Sequence, residues 1–141
     1  QSQEETDLVL NHPWGMVGSD AALRAPSGPT AAGKPHPRGY GSFARYLRRH
    51  VREIKTLSLE EAVRKITSLP AEMFGLRGRG TLAPGKVADI AVFDLDRVND
   101  TATYAEPTRL AEGFRHVVVR GVPVIRDGRH TGATPGEFLE R

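Results

Sequence analysis

At Gly75 the hydrophobic period of this 141-residue chain changes, and that change limits what the chain can fold into. Before it, apolar residues recur at helical spacing. Phe43, Leu47, His50, Val51 and Ile54 fall on one stripe, which predicts a helix capped by Ser42. Leu59, Ala62, Val63 and Ile66 form a second stripe behind Ser58-Leu59-Glu60-Glu61, where a hydroxyl precedes a carboxylate at capping-box spacing. Ser2-Gln3-Glu4-Glu5 repeats that spacing and predicts a short helix through Leu8 and Val9 to about Asn11. Pro70 ends one helix and begins another, Ala71 to Phe74, with Gly75 as a left-handed stop. After Gly75 the signals are those of strands. Ala83-Pro84-Gly85-Lys86 has the Pro-Gly centre of a type II turn, and Ile90-Ala91-Val92-Phe93 reads as a buried strand. Val117-Val118-Val119, Arg120-Gly121 and Val122-Pro123-Val124-Ile125 read as a hairpin with Pro123 at an edge, and Asp127-Gly128 as a further turn. The chain is thus an α/β front half and a β back half.

The chemistry-bearing residues gather in the front half. Met16 to Ser19 is a short apolar run ending at Asp20, followed by a Pro- and Gly-rich stretch from Ala25 to Gly41 that includes Pro26, Pro29, Pro35 and Pro37. That stretch is too rich in breakers for a regular element and reads as a loop. A carboxylate at the carboxyl end of a buried strand, facing a long loop, is where α/β barrels place reacting groups. The competing reading is a turn or capping Asp. The chain has no Cys, which excludes a disulfide framework and thiol catalysis and fits a reducing, cytoplasmic setting. No apolar stretch has the length of a bilayer span, so no membrane partner is expected. Arg45, Arg48, Arg49, Arg52 and Lys55 share one helix and are candidates for phosphate contact. Glu53 interrupts them and Tyr46 is the single aromatic expected to be exposed, so a solvated face is favoured and no nucleic acid is expected.

Read as a phrase, Ser58-Leu59-Glu60-Glu61-Ala62-Val63, Thr67-Ser68-Leu69-Pro70-Ala71 and Gly80-Thr81-Leu82-Ala83-Pro84-Gly85-Lys86-Val87-Ala88-Asp89-Ile90 resemble the closing segment of the amidohydrolase superfamily. Thr103-Tyr104-Ala105-Glu106-Pro107, the run Asp127-Gly128-Arg129-His130-Thr131-Gly132-Ala133-Thr134-Pro135-Gly136, Ser19-Asp20 and His36-Pro37-Arg38 narrow the resemblance to the N-acyl-D-amino-acid deacylase (D-aminoacylase) branch. Dihydroorotases and hydantoinases share much of the closing phrase and stay open. The resemblance implies the end of a TIM-type (β/α)8 barrel over 1–75, followed by the C-terminal part of a composite β-sandwich over 76–141. It gives Asp20 the role of taking a proton from a zinc-bound water and delivering it to the leaving amine, with metal contact as a second possibility for the same carboxylate. It places His36 and Arg38 over the mouth of the site as substrate-binding residues, Arg38 forking onto a substrate carboxylate. Asp89 then reads as a backbone-bonding residue, and His12, His50, His116 and His130 as structural.

The family's metal pair, His-x-His, is absent from the sequence, as are His-Glu-x-x-His and Cys. A catalytic zinc needs about three protein ligands, and Asp20 supplies one carboxylate. The expectation is therefore the C-terminal portion of an enzyme for a small N-acylated amino acid, inactive by itself. The first residue is Gln1 rather than Met. Strands at Met16, Ile90, Val117 and Val122 are expected to lack partners, and unpaired apolar edges invite pairing. The expected partner is a missing N-terminal portion or a second copy. The alternative is a non-catalytic subunit that completes another chain's barrel.

Overall fold

Ser2 starts the first helix, α1 (Gln3–Asn11), as its spacing predicts. The Glu5 N–H donates to Ser2 Oγ at 3.1 Å and the Ser2 N–H donates to Glu5 Oε2 at 2.8 Å. The structure is a computed structural model and describes residues 2–22, 24–25 and 27–139; Gln1 and Pro26, both named above, lie outside them. After α1 come a 3-10 turn (Pro29–Ala31), α2 (Arg38–Tyr46) with a π-helical continuation (Leu47–Glu53), α3 (Leu59–Ile66) and α4 (Ser68–Met73). The strands follow as β1 (Ile90–Phe93), β2 (Phe114–Val119), β3 (Val122–Arg126) and β4 (Arg129–His130).

Helix α2 departs from the predicted helix in start and in phase. It begins at Arg38 rather than after Ser42, whose hydroxyl sits inside the helix and donates to the Arg38 carbonyl at 2.8 Å. Past Leu47 the turn widens, so that the Ile54 N–H donates to Arg49 O at 2.8 Å, five residues back. A wider turn rotates less per residue than an α-helix, so it sets back the phase of the side chains that follow it, Ile54 among them. Ala44, Tyr46, Leu47 and His50 are buried, whereas Phe43 and Ile54, assigned to the inner stripe by spacing, are exposed. Tyr46, expected at the surface, is 3% exposed, and burial pushes its hydroxyl up to about 12. The basic helix is also largely committed to ion pairs and carbonyls. Arg48 Nε donates to Asp100 Oδ1 at 2.8 Å and Arg52 Nη1 to Leu95 O at 2.8 Å.

The remaining helices follow their signals with small shifts. Ser58 Oγ accepts from the Glu61 N–H at 3.2 Å, but the Glu61 carboxylate turns to Arg64 at 2.7 and 2.9 Å, leaving half of the expected capping box. Helix α4 begins at Ser68 rather than Ala71, so Pro70 lies in its first turn, where a missing N–H loses no bond. Gly75, at φ +68°, donates to Glu72 O at 3.1 Å while Leu76 donates to Ala71 O at 2.8 Å, the paired bonds of a left-handed stop.

The back half is a four-stranded antiparallel sheet in the order β1-β2-β3-β4. The strands expected to lack partners at Ile90, Val117 and Val122 pair with one another: Ile90 faces Val118 and Val119 faces Val122. Strand β1 is half-buried rather than buried, with Ala91 and Val92 exposed. Arg120-Gly121 and Asp127-Gly128 both have positive φ at the two central positions, as type I′ turns require. Pro123 sits where the β2–β3 register shifts, a place that tolerates its missing N–H. Asp89 Oδ1 accepts the Arg120 N–H at 2.9 Å and so bonds the hairpin backbone, as read from the sequence.

One core ties the two halves. Ala44, Tyr46, Leu47 and Ala62 pack with Val98, and Phe93 and Phe114 close over them. Gly113, at φ +88°, lies against the Val98 backbone. A Cβ there would stand 2.5 Å from Val98 N, so only a glycine fits.

Helix α1 is held to α2 by a charged cluster. Arg49 Nε and Nη2 donate to the Asp7 carboxylate at 3.2 and 2.5 Å, and the buried His50 ring lies 3.6 Å from Asp7 Oδ1. The Arg49 hydrogen bonds hold Asp7 down at about 2, while burial lowers His50. A carboxylate depressed in the folded state stabilises above its unfolded value and loses that contribution on protonation. Stability is therefore expected to fall as pH drops from 3.8 toward about 2. Urea-denaturation midpoints across that range should show a shallower acid decline in Asp7→Asn than in the parent.

Candidate functional site

The segment that carries Asp20 is placed by side chains from α3. The chain leaves α1 through a turn in which Gly15 N–H donates to His12 O at 2.8 Å and Trp14 N–H to His12 Nδ1 at 3.3 Å. Lys65, 1% exposed, sends its ammonium into this turn, donating to His12 O and, at 3.1 Å, to Gly15 O. Arg64 Nη2 donates to Pro13 O at 3.1 Å. Burial pushes Lys65 down from its usual range and nearby Glu61 opposes that shift.

Beyond the turn, Met16 to Ser19 runs extended toward Asp20. It was expected as a buried barrel strand. Among the described residues it has no ladder partner, and Met16, Val17 and Ser19 are half-buried. Asp20 closes it at φ +47°, a left-handed conformation that Asp tolerates better than most residues. Its side chain is 90% exposed.

The loop then returns to the Asp20 carboxylate. Ala25 N–H donates to Thr30 Oγ1 at 3.0 Å at the 3-10 turn, and Ala21 packs against the first turn of α2 at Gly39. Arg38, the first residue of α2, reaches back so that its Nη2 lies 3.0 Å from Asp20 Oδ2. His36 stands beside it. Its Nδ1 accepts the Arg38 N–H at 3.0 Å, and its Nε2 lies 3.0 Å from Tyr104 Oη. The two rings meet edge to face at 5.1 Å. All three residues singled out from the sequence are thus brought together. Tyr104 was missed as a site residue, although it stood in the Thr103–Pro107 motif. His130 and His116 bond to backbone instead: His130 Nδ1 accepts the Gly132 N–H at 2.9 Å, and Nδ1 of the half-buried His116 accepts the Asp127 N–H at 3.3 Å.

Chemically this rim offers one carboxylate for proton transfer and one guanidinium for an anion. It does not offer a metal cradle. Among the described residues no group of three or more His, Asp or Glu converges on one point. Both ring nitrogens of His36 are engaged, and one Asp20 oxygen faces Arg38. The donor set on this chain does not fit a bound zinc.

Comparison with known proteins identifies the family. The Amidohydrolase family matches residues 4–125, and the chain belongs to it. An N-acyl-D-glutamate deacylase from Alcaligenes xylosoxydans xylosoxydans is 45% identical over 139 residues, 99% of this chain and 27% of its own length. A crystal structure of D-aminoacylase superposes with a TM-score of 0.85 at 37% identity, covering 94% of this chain and 27% of that one. The N-acyl-D-glutamate deacylase of Bordetella bronchiseptica, solved with zinc and a phosphonate mimic of the tetrahedral intermediate, gives 0.79 at 42% identity, covering 92% and 27%. The helices and antiparallel sheet therefore have the arrangement of the matched part of D-aminoacylase. The chain spans about a quarter of the length of these relatives. No helix among the described residues is long and apolar enough to cross a membrane.

The turn at His12 to Gly15 should be sensitive to its buried cation. Lys65→Met removes the donor but leaves two carbonyls in place, so it is expected to cost on the order of 2–4 kcal/mol by chemical denaturation.

Proposed function

We propose that this chain is the C-terminal part of a metal-dependent amidohydrolase that cleaves the amide of N-acyl-D-amino acids. The observation that carries the reading is the convergence of Asp20 and Arg38 at 3.0 Å on an exposed rim, in a chain 45% identical to an N-acyl-D-glutamate deacylase. In this reading Asp20 takes a proton from the attacking water and returns it to the nitrogen as the C–N bond breaks. A carboxylate serves both steps because the proton it gains in the first is the one it gives in the second. Arg38 receives the substrate's free carboxylate in a two-pronged contact.

In the same reading, 1–75 closes a TIM-type (β/α)8 barrel and 76–141 supplies part of a composite β-sandwich in a cytoplasmic enzyme. Ligands for the metal come from outside the described residues. Exposed Leu8, Val9 and Trp14, and the exposed Leu82 and Val92 near the free edge of β1, are the surfaces that the remaining portion or a second copy covers.

Three measurements test this. The purified 141-residue chain supplied with zinc is expected to show no amidase activity, and light scattering is expected to show association at high concentration. In the active enzyme containing this chain, the isosteric Asp20→Asn should lower kcat by about a hundred- to ten-thousand-fold with the fold unchanged by circular dichroism. Full activity in that variant would remove Asp20 from the mechanism.

A further inference from the structure

We infer that Tyr104 acts through His36 as the positioning residue that fixes where Arg38 stands beside Asp20. The inference rests on the amide-hydrolase reading above, which gives Arg38 and Asp20 their roles.

Three contacts in series carry it. Tyr104 Oη lies 3.0 Å from His36 Nε2, His36 Nδ1 accepts the Arg38 N–H at 3.0 Å, and the Arg38 guanidinium lies 3.0 Å from Asp20. The middle contact fixes the chemistry of the ring. A nitrogen that accepts a backbone N–H carries a lone pair, so the imidazole is neutral with its proton on Nε2. That proton is then donated to the Tyr104 oxygen. Moving the proton to Nδ1 sets two donors against each other at Arg38, and rotating the ring by half a turn puts carbon atoms in place of both ring nitrogens, losing the contacts to Arg38 and Tyr104. The Arg38 N–H therefore selects the tautomer, and Tyr104, paired with Nε2, holds the ring orientation that keeps Nδ1 on Arg38.

The need for such an anchor follows from the exposure of the pair. The Arg38 and Asp20 side chains are 44% and 90% exposed, and an exposed ion pair holds its partners weakly. The guanidinium is kept in place from its backbone instead. Arg38 opens α2, and its N–H is one of the donors that a helix start leaves without an intrahelical partner. His36 satisfies that donor, and Tyr104 holds His36 from 68 residues away. Tyr104 itself is set in a closed turn, with Thr103 N–H donating to Glu106 O at 3.1 Å and Glu106 N–H donating to Thr103 Oγ1 at 3.0 Å. The Tyr104 turn follows Asp100 and Ala102, which pack against Gly41 of α2. The back half of the chain thus reaches across to the rim that the front half builds.

The test has a spectroscopic arm and a kinetic arm. Nitrogen-15 spectra of the histidine rings in the 141-residue chain are expected to show His36 neutral and protonated on Nε2. In Tyr104→Phe the ring should sample other orientations, so that the His36 ring signals and the Arg38 amide both move. A wild-type ring protonated on Nδ1, or spectra unchanged in Tyr104→Phe, overturns the inference. In the active enzyme containing this chain, Tyr104→Phe should raise KM for an N-acyl-D-amino acid about fivefold with kcat nearly unchanged. The same substitution should add nothing in a His36→Ala background. His36→Asn, whose side-chain oxygen can stand where Nδ1 does, should recover most of the KM lost in His36→Ala. If Arg38→Ala raises KM and Tyr104→Phe does not, positioning is refuted and the amide-hydrolase reading stands. If Arg38→Ala leaves KM unchanged, the reading of Arg38 falls and takes the inference with it.

Discussion

The buried ammonium of Lys65 is the constraint on which the arrangement of the rim depends. The extended run from Met16 to Ser19 has no ladder partner among the described residues, so nothing in a sheet fixes its direction. What fixes it is the turn before it, clasped by Lys65 at His12 O and Gly15 O and by Arg64 at Pro13 O. Desolvating a cation is costly, and the carbonyl bonds and Glu61 offset that cost. The direction in which the chain leaves this clasp decides where Asp20 stands.

The second constraint is the shared interior. Val98 comes from the β part of the chain, yet it is enclosed by Ala44, Tyr46, Leu47 and Ala62 of the helical part. Arg48 to Asp100 and Arg52 to Leu95 O add polar links across the same seam. The register between helices and sheet is thereby set by both shape and charge. Tyr104 is delivered to His36 by the segment that follows this seam. A rim assembled from residues 20, 36, 38 and 104 thus inherits its geometry from a core several turns away.

Much of this was legible in the sequence, for identifiable reasons. Local backbone chemistry read well: the Ser2 capping box, the Gly75 stop, the Ala83–Lys86 turn and both hairpin turns rest on contacts between residues close in sequence. Asp20 stood out as a carboxylate closing an apolar run before a long loop, and His36 and Arg38 through the family resemblance; the structure brings the three side by side. The failures are of two kinds. A π-helical turn leaves no mark in hydrophobic spacing, and it lies between the start of the predicted stripe and the exposed Ile54; Phe43 and Tyr46 precede it, and spacing alone misjudged which of their faces meets the core. Lys65 and Tyr104 were passed over because their partners are 50 or more residues away. For Lys65 a signal existed: it lies between Ala62 and Leu69 at helical spacing, on the inward stripe.

The left-handed backbone at Asp20 has a consequence for how this position can change. The torsion is set by the route of the chain into the loop, so any replacement must first adopt it. Glycine, asparagine and aspartate do so with least strain. Glutamate carries the same charge on a longer arm, but its added methylene brings no relief from that torsion. The shortest acidic side chain is therefore dictated here by main-chain geometry as well as by reach, and a drift in acid length is closed off before catalysis is consulted.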